Sequence, residues 1–234
     1  MSTHSLGRTI IVGDVHGCAF ELEALLDRVH FGSGDRLVLV GDLVARGPDS
    51  LGVLDLARRT GAVIVRGNHE QKLLDWYADA DVSLGRIHAD LARALRPVDW
   101  TLLSTSPLSV TLPEHGLAVV HAGVDPRVRF EAQHPHTLLH IRRVHQGKRE
   151  VLWGQAYYGP PHVVFGHNAL PGLQLHAWAT GLDTGCVYGG RLTALVLGPG
   201  EKIPRSILHR QTKLVSQAAA RMYFEPASKK RRVA

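Results

Sequence analysis

Five short stretches of this sequence place metal-ligating side chains where apolar runs end: Asp14 and His16, Asp42, Asn68 with His69, His121, and His167. Carboxylate, imidazole and amide donors mixed in this way suit Mn, Fe, Zn or Co, whereas an all-oxygen set would point to Mg or Ca. No cysteine belongs to the set, which argues against a structural zinc site. Taken singly, a strand-end aspartate is more often a turn former or a helix cap, and a buried histidine is more often hydrogen-bonded in place than a ligand. Five such segments in series, each beside glycine or another small residue, point instead to one metal site assembled by the fold.

The elements that must carry these residues are legible from periodicity. Arg8 to Val15 is an apolar, β-branched run that stops at a Gly-Asp turn signal, and it reads as a buried strand. Leu22, Leu25, Leu26 and Val29 then recur at helical spacing. Arg36 to Val44 repeats the strand and ends at Gly41-Asp42, after which Pro48 and Ser50 open a helix through Leu51, Leu54 and Leu56. Ala62 to Val65 is a third strand, delivering Gly67-Asn68-His69-Glu70 into a helix through Leu73, Leu74 and Tyr77. Strand, polar loop, helix three times over argues for crossover units in a parallel or mixed sheet, with ligands beyond the carboxyl ends of the strands. Ile87 to Leu103 reads as one helix. Short strands follow at Leu108 to Leu112, Leu117 to His121, Val163 to His167, Leu173 to Trp178 and Arg191 to Leu197. The His/Arg-rich stretch between Asp125 and His162 has no clear periodicity and has the length of a lid or specificity insert.

Composition bounds the rest. The chain has 234 residues, 44% of them apolar and 21% charged, enough for one domain with a full core and unlike a disordered or fibrous protein. No apolar run approaches the roughly 20 residues that span a bilayer, and Met1 to Arg8 lacks the order of a secretory signal, so the expected compartment is the cytoplasm and no membrane partner is expected. Cys18 and Cys186 form no CxxC pair and are expected to be reduced, buried, small apolar side chains. The net charge of +6 owes part of its size to Lys229, Lys230, Arg231 and Arg232. That basic end is expected to be solvated, and nucleic acid is expected as a partner only through it.

The motifs themselves carry a resemblance. GDVHG at 13 to 17, GDLVARGPDS at 41 to 50, GNHE at 67 to 70, HAG at 121 to 123 and GHN at 166 to 168 resemble, in order, the metallophosphoesterase signature of the phosphoprotein-phosphatase superfamily. GDLVARGPDS and LDTGCVYGGRLTAL at 182 to 195 are more similar to the symmetrical diadenosine tetraphosphatases, or bis(5'-nucleosyl)-tetraphosphatases, than to the serine/threonine protein phosphatases. The resemblance runs from about Arg8 to Leu197. It implies a calcineurin-like α/β fold, a central sandwich of two mixed sheets flanked by helices. The domain would occupy residues 1–200 with a specificity insert at 126–162, followed by an extension at 201–234 that ends in the basic tail.

It also implies two divalent metal ions, manganese first among Mn, Fe, Zn and Co. Asp14, His16 and Asp42 would hold one; Asp42, Asn68, His121 and His167 would hold the other, with Asp42 bridging. A bridging hydroxide would attack phosphorus in line. Arg46 would bind the phosphoryl oxygens through its planar fork, with Asn68 beside it, and His69 would protonate the leaving oxygen. Glu70 reads as a first-turn helix residue favoured by the macrodipole.

Two departures from the protein phosphatases matter. Ala45 stands where those enzymes carry an aspartate that orients the catalytic histidine, so His69 is expected to lack that partner. Gln155 stands where several bacterial protein phosphatases have an arginine, and the missing charge is expected from Arg142 or Arg143. The implied reaction is hydrolysis of a phosphoanhydride, diadenosine tetraphosphate to two ADP. A phosphoprotein phosphatase, an inorganic polyphosphate hydrolase and a catalytically silent nucleotide or RNA binder are the competing readings; five intact ligand segments speak against the last.

Overall fold

The computed structural model describes residues 7–79, 81–170 and 172–225. The chain runs β1 (Thr9–Val12), α1 (Ala19–Arg28), β2 (Arg36–Leu39), α2 (Ser50–Arg59), β3 (Val63–Ile64), α3 (Asn68–Ala78), α4 (Arg86–Ala94), α5 (Pro97–Thr105), β4 (Ser109–Leu112) and β5 (Leu117–Val120). It continues through a 3₁₀ turn at Phe130–Ala132, α6 (Pro135–His140), β6 (Arg143–Gln146), β7 (Arg149–Leu152), α7 (Trp153–Ala156), β8 (His162–Phe165), β9 (Gln174–Leu175), β10 (Ala179–Gly181), β11 (Arg191–Leu197), α8 (Ile207–Gln211) and β12 (Leu214–Ala218).

Two five-stranded mixed sheets result, ordered β12-β11-β1-β2-β3 and β4-β5-β8-β10-β9, with β6 and β7 forming a separate hairpin. The crossover units expected from the sequence supply the parallel pairs β1/β2 and β2/β3, and β11 and β12 extend the first sheet antiparallel. Strand β1 is buried on both faces, as a central strand covered on each side must be. Its period-2 alternation sends Ile10 and Val12 toward the helices, where Leu22, Leu25, Leu54 and Leu73 pack, and Ile11 toward the second sheet with Val38, Val119, Val164 and Leu195. The carboxyl ends of β1, β2, β5 and β8 therefore share one rim.

The expected single helix over Ile87 to Leu103 is two. The backbone is extended at Leu95 and Arg96, and Pro97 starts α5, where its fixed φ and missing N–H are tolerated. The expected strand Leu173 to Trp178 is only Gln174–Leu175, folded back antiparallel on a strand that the sequence reading missed, β10. The unassigned stretch before His162 holds α6, the β6/β7 hairpin and α7. The extension after residue 200 contributes α8 and the edge strand β12, which pairs with β11 over Arg191 to Leu195. Residues 226–234, and with them the basic tail, lie outside the described residues.

Asp99 ties the start of α5 to α2. Its buried carboxylate accepts from Arg96 N (2.9 Å), Arg96 Nε (2.7 Å) and Arg58 Nη1. Burial alone would raise this carboxyl, but the Arg96 side chain and amide and the Arg58 guanidinium reverse the effect and lower it to about 2. A carboxyl depressed below its unfolded value of about 3.9 adds stability above that pH and loses it as pH falls through the folded value. Asp99→Asn should therefore lower the unfolding free energy by about 2 kcal/mol near pH 7, and the gap between mutant and wild type should shrink between pH ~4 and ~2. A gap that stays constant over that range in denaturant titrations would show that charge is not the source.

Candidate active site

The loops that follow β1 and β2 are stitched to each other before any side chain is considered. Val15 N and His16 N both donate to Asp42 O (3.2 and 2.7 Å), and Gly17 N donates to Leu43 O (2.7 Å). The loop ahead of α3 joins them at Gly67, where a Cβ would collide with the Asp42 amide and carboxylate, so only glycine permits the approach. Beneath all three lies Glu70, fully buried. Its Oε1 accepts from Leu43 N (2.8 Å) and Val44 N (3.3 Å), and its Oε2 from Asp42 N (2.8 Å) and Gly67 N (2.8 Å). Glu70 is thus a clamp across two loops, a larger part than the macrodipole role read from the sequence.

The clamp holds a strained backbone. Of the non-glycine residues in the left-handed region, His16 (φ 47°), Asp42 (49°), Ala45 (67°), Arg46 (69°) and His167 (65°) all lie here, and among the described residues only His30 lies elsewhere. Each such conformation costs about 1 kcal/mol or more and persists where the surroundings over-determine it.

Every metal-ligand candidate reaches this rim. Asp42 is central: its Oδ2 lies 3.5 Å from His16 Nε2 and 3.9 Å from His69 Nε2, and its Oδ1 lies 3.4 Å from His121 Nε2 and 3.0 Å from the His69 amide that donates to it. His121 Nε2 is also 3.0 Å from Asn68 Oδ1 and 3.2 Å from His167 Nδ1. Asp14 accepts the His167 amide on both oxygens at 3.0 Å. The remaining ring nitrogens explain the orientation: His16 Nδ1 bonds Val44 O (3.1 Å) and His121 Nδ1 bonds Val40 O (3.0 Å). A backbone carbonyl accepts only from N–H, so both rings carry their proton on Nδ1 and turn the Nε2 lone pair inward.

Two three-residue donor groups, His16/Asp42/His69 and Asp42/His121/His167, share Asp42, with the donor atoms of each group within 4.8 Å of one another. Asp14, Asp42, Glu70 and Asp183 are all at most 8% exposed, and among the described residues no lysine is buried with them. Burial, with Asp183 and Asp42 beside it, pushes the Asp14 carboxyl well up, and burial raises Asp183 to about 6. Burial also keeps the imidazoles neutral, His16 lowered to about 4 and His167 to about 3. Crowded carboxyls with inward imidazole lone pairs fit divalent cations, which relieve the burial of like charges and need unprotonated ligands.

Arg46 and Arg142 flank this cluster. Arg46 Nη1 meets His16 Nε2 at 2.8 Å, and Arg142 Nε meets His167 Nε2 at 3.2 Å, so the guanidiniums approach through different donor groups. Both line a cleft of about 600 Å³ with His167, Asn168, Asp183 and Tyr188. The Arg46 guanidinium lies 5.7 Å from the Tyr188 ring centre and 5.8 Å from that of Phe224, within cation–π range. Two sequence-derived binding candidates are not among the residues lining this cleft. Arg143 faces Glu150 across the hairpin (3.9 Å), and Gln155 turns its Oε1 back to Leu152 N (3.2 Å). Tyr157 is buried against Trp153 and donates to Pro161 O, and Tyr158 is exposed outside the cleft lining.

Ala45 offers His69 no carboxylate, and a residue of another helix stands at its outer nitrogen instead. His88 of α4 places Nε2 3.0 Å from His69 Nδ1. Nothing in the sequence marked His88 or Phe224, because neither has a fixed spacing to a motif; Asp183 and Tyr188 stood inside the quoted LDTGCVYGGRLTAL stretch without a role.

A sandwich of two mixed sheets whose strand ends converge on a shared aspartate, histidines and an asparagine is the architecture of a metallophosphoesterase. The family model of the calcineurin-like phosphoesterases matches residues 7–198, and the chain belongs to that family. It is 30% identical to the asymmetrical bis(5'-nucleosyl)-tetraphosphatase of Geobacillus thermodenitrificans, over 79% of this chain and 88% of that protein. It is 34% identical to a symmetrical bis(5'-nucleosyl)-tetraphosphatase of Pectobacterium carotovorum (90% and 77% covered) and 35% identical to serine/threonine-protein phosphatase 1 of Salmonella typhimurium (78% and 88%). With some other symmetrical enzymes the match spans about half of their length. A crystal structure provisionally described as a diadenosine tetraphosphatase superposes with a TM-score of 0.78 at 38% identity, covering 92% of this chain and 94% of that one. Among the described residues no helix is long and apolar enough to cross a membrane.

Proposed function

We propose that this protein hydrolyses the phosphoanhydride of a dinucleoside polyphosphate in the cytoplasm, with diadenosine tetraphosphate cleaved to two ADP as the specific reaction. The observation that carries the reading is the pair of guanidiniums, Arg46 and Arg142, reaching opposite donor groups from one cleft. Two guanidiniums on one cleft can hold oxygens of more than one phosphoryl group of a polyphosphate chain at once, each through its planar fork. Tyr188 adds an aromatic wall to the same cleft. Residues 126–162 then act as the specificity insert, since they deliver Arg142.

Asp14, His16 and Asp42 would hold one divalent cation and Asp42, Asn68, His121 and His167 the second, manganese being the preferred ion. Bound there, the pair supplies charge neutralisation and an acidified water. The chain's own part is to orient and to move protons. Arg46 and Arg142 bind phosphoryl oxygens, and the strained turns hold His16, Asp42 and Arg46 at fixed positions. His69 turns Nε2 toward Asp42 and gives a proton from that nitrogen to the leaving oxygen.

Manganese-loaded protein should release ADP as sole product from diadenosine tetraphosphate, and His69→Ala should slow that release by about 100-fold. Inorganic polyphosphate and a phosphoserine peptide assayed alongside should be poorer substrates. AMP and ATP in equal amounts would move the reaction to the asymmetrical mode of the Geobacillus relative. Faster phosphate release from the peptide would favour the mode of the Salmonella relative and would overturn the anhydride reading.

A further inference from the structure

His69 is held on three sides. Its amide donates to Asp42 Oδ1, its Nε2 faces Asp42 Oδ2 at 3.9 Å, and its ring meets the His16 ring edge-on with centres 4.8 Å apart. The fourth side belongs to His88, half-buried in the first turn of α4, whose ring centre is 4.8 Å away at an interplanar angle of 28° and whose Nε2 is 3.0 Å from His69 Nδ1. In the described structure this is the one hydrogen bond on His69 Nδ1, and it arrives where Ala45 withholds a carboxylate. Two neutral imidazoles at 3.0 Å require one N–H and one lone pair between them.

We propose that His88 is the positioning residue of His69: its Nε2 accepts the His69 Nδ1 proton and so leaves Nε2 as the nitrogen that serves the leaving oxygen. The proposal rests on the reading of His69 as the proton donor. In that step His69 is the imidazolium, with one proton held on Nδ1 by His88 and a second taken from solvent on Nε2, and the Nε2 proton passes to the departing oxygen as that oxygen's bond to phosphorus breaks. The ring keeps its Nδ1–H on His88, and solvent returns the Nε2 proton before the next turnover. A neutral imidazole orients its partner as a carboxylate would but stabilises the charged ring less. That balance suits a leaving phosphate, which departs with little proton transfer, better than an alkoxide, which needs a full proton.

The test compares two monoesters with manganese-loaded enzyme: phosphoserine, whose alkoxide needs the proton, and 4-nitrophenyl phosphate, whose phenolate leaves without one. His88→Ala should lose about 10-fold more activity on phosphoserine than on 4-nitrophenyl phosphate, as expected for a second-layer partner of a working side chain. His88→Gln, whose Oε1 can still accept, should recover most of the difference. Adding His88→Ala to His69→Ala should cost nothing further. Independently of turnover, ¹⁵N spectra of metal-free protein should show the Nδ1–H tautomer of His69 in the wild type and its loss in His88→Ala. Equal losses on both esters, or an unchanged His69 tautomer, would overturn the proposal while His69→Ala still discriminates between the esters. A His69→Ala enzyme that does not discriminate would remove the proton-donor reading itself, and the proposal with it.

Discussion

Asp42→Asn is expected to leave the protein folded and to empty its active site. The substitution keeps shape and volume but exchanges one oxygen for an N–H₂ group and removes the charge. Either Oδ1, with the His69 amide at 3.0 Å and His121 Nε2 at 3.4 Å, or Oδ2, with His16 Nε2 at 3.5 Å, ceases to be an acceptor. Both donor groups share this residue, so no orientation of the amide preserves both. Burial works against the Asp42 carboxylate, and the His69 amide, donating to its Oδ1, favours it. Removing a buried charge offsets part of any lost hydrogen bonding, and the unfolding free energy of metal-free protein should change by less than about 1 kcal/mol. Metal content should fall from two ions to one or none per chain, and turnover by about 1000-fold or more, the equivalent of several kcal/mol of lost charge stabilisation. Elemental analysis beside turnover decides it: two ions and full activity in Asp42→Asn would mean that this carboxylate bridges nothing.

The sequence was most informative where chemistry and backbone share one short segment. Asp14, Asp42 and His121 each end an apolar run, and a buried strand leaves a polar residue at its carboxyl end only where a partner waits, so those positions were readable before any contact was known. The ring orientation of His16 was not. It depends on Val44 O, 28 residues on, and no spacing rule links them. Between Arg142 and Arg143 the sequence left the choice open, as adjacent residues with one charge must; hairpin alternation turns Arg143 toward Glu150 and leaves Arg142 at the cleft. The break at Pro97 was written in the sequence and outweighed by the apolar periodicity on either side of it. It matters here because ending α4 at Ala94 makes it a separate helix, the one that carries His88 to His69.

The extension after residue 198 lies beyond the part of the chain matched by the family, and it is nonetheless joined to the catalytic rim. Strand β12 leads into a segment in which Ala220 N and Tyr223 OH both donate to Glu21 Oε1 (2.9 and 2.8 Å). Tyr223 N and Phe224 N both reach Val187 O at 3.0 Å, which sets the Phe224 ring beside the Arg46 guanidinium. An arginine in a left-handed turn has few backbone neighbours to fix its side chain. The faces of Phe224 and Tyr188 restrict where the guanidinium can go, so this segment would help to shape the clamp proposed for Arg46.

The second large effect is expected at Glu70, and its signature is the reverse of that at Asp42. Glu70→Ala strips acceptors from the buried amides of Asp42, Leu43, Val44 and Gly67 at once. A buried donor left unpaired costs about 1–3 kcal/mol, and even with water entering the space the net loss should be about 3–5 kcal/mol, a large share of a typical domain's 5–15. The same amides hold the left-handed turns at Asp42, Ala45 and Arg46, so the strain there relaxes and the donor set disperses. Glu70→Gln keeps one carbonyl oxygen and should retain about half of the clamp, losing roughly 2 kcal/mol. Denaturant unfolding should thus rank wild type above Gln above Ala, with manganese affinity falling in the same order. Asp42→Asn, by contrast, should lose metal without losing stability. If Glu70→Ala unfolds at the wild-type midpoint and binds manganese normally, the turns are held by the loop-to-loop amide bonds of Val15, His16 and Gly17 alone, and Glu70 is a passenger in the core.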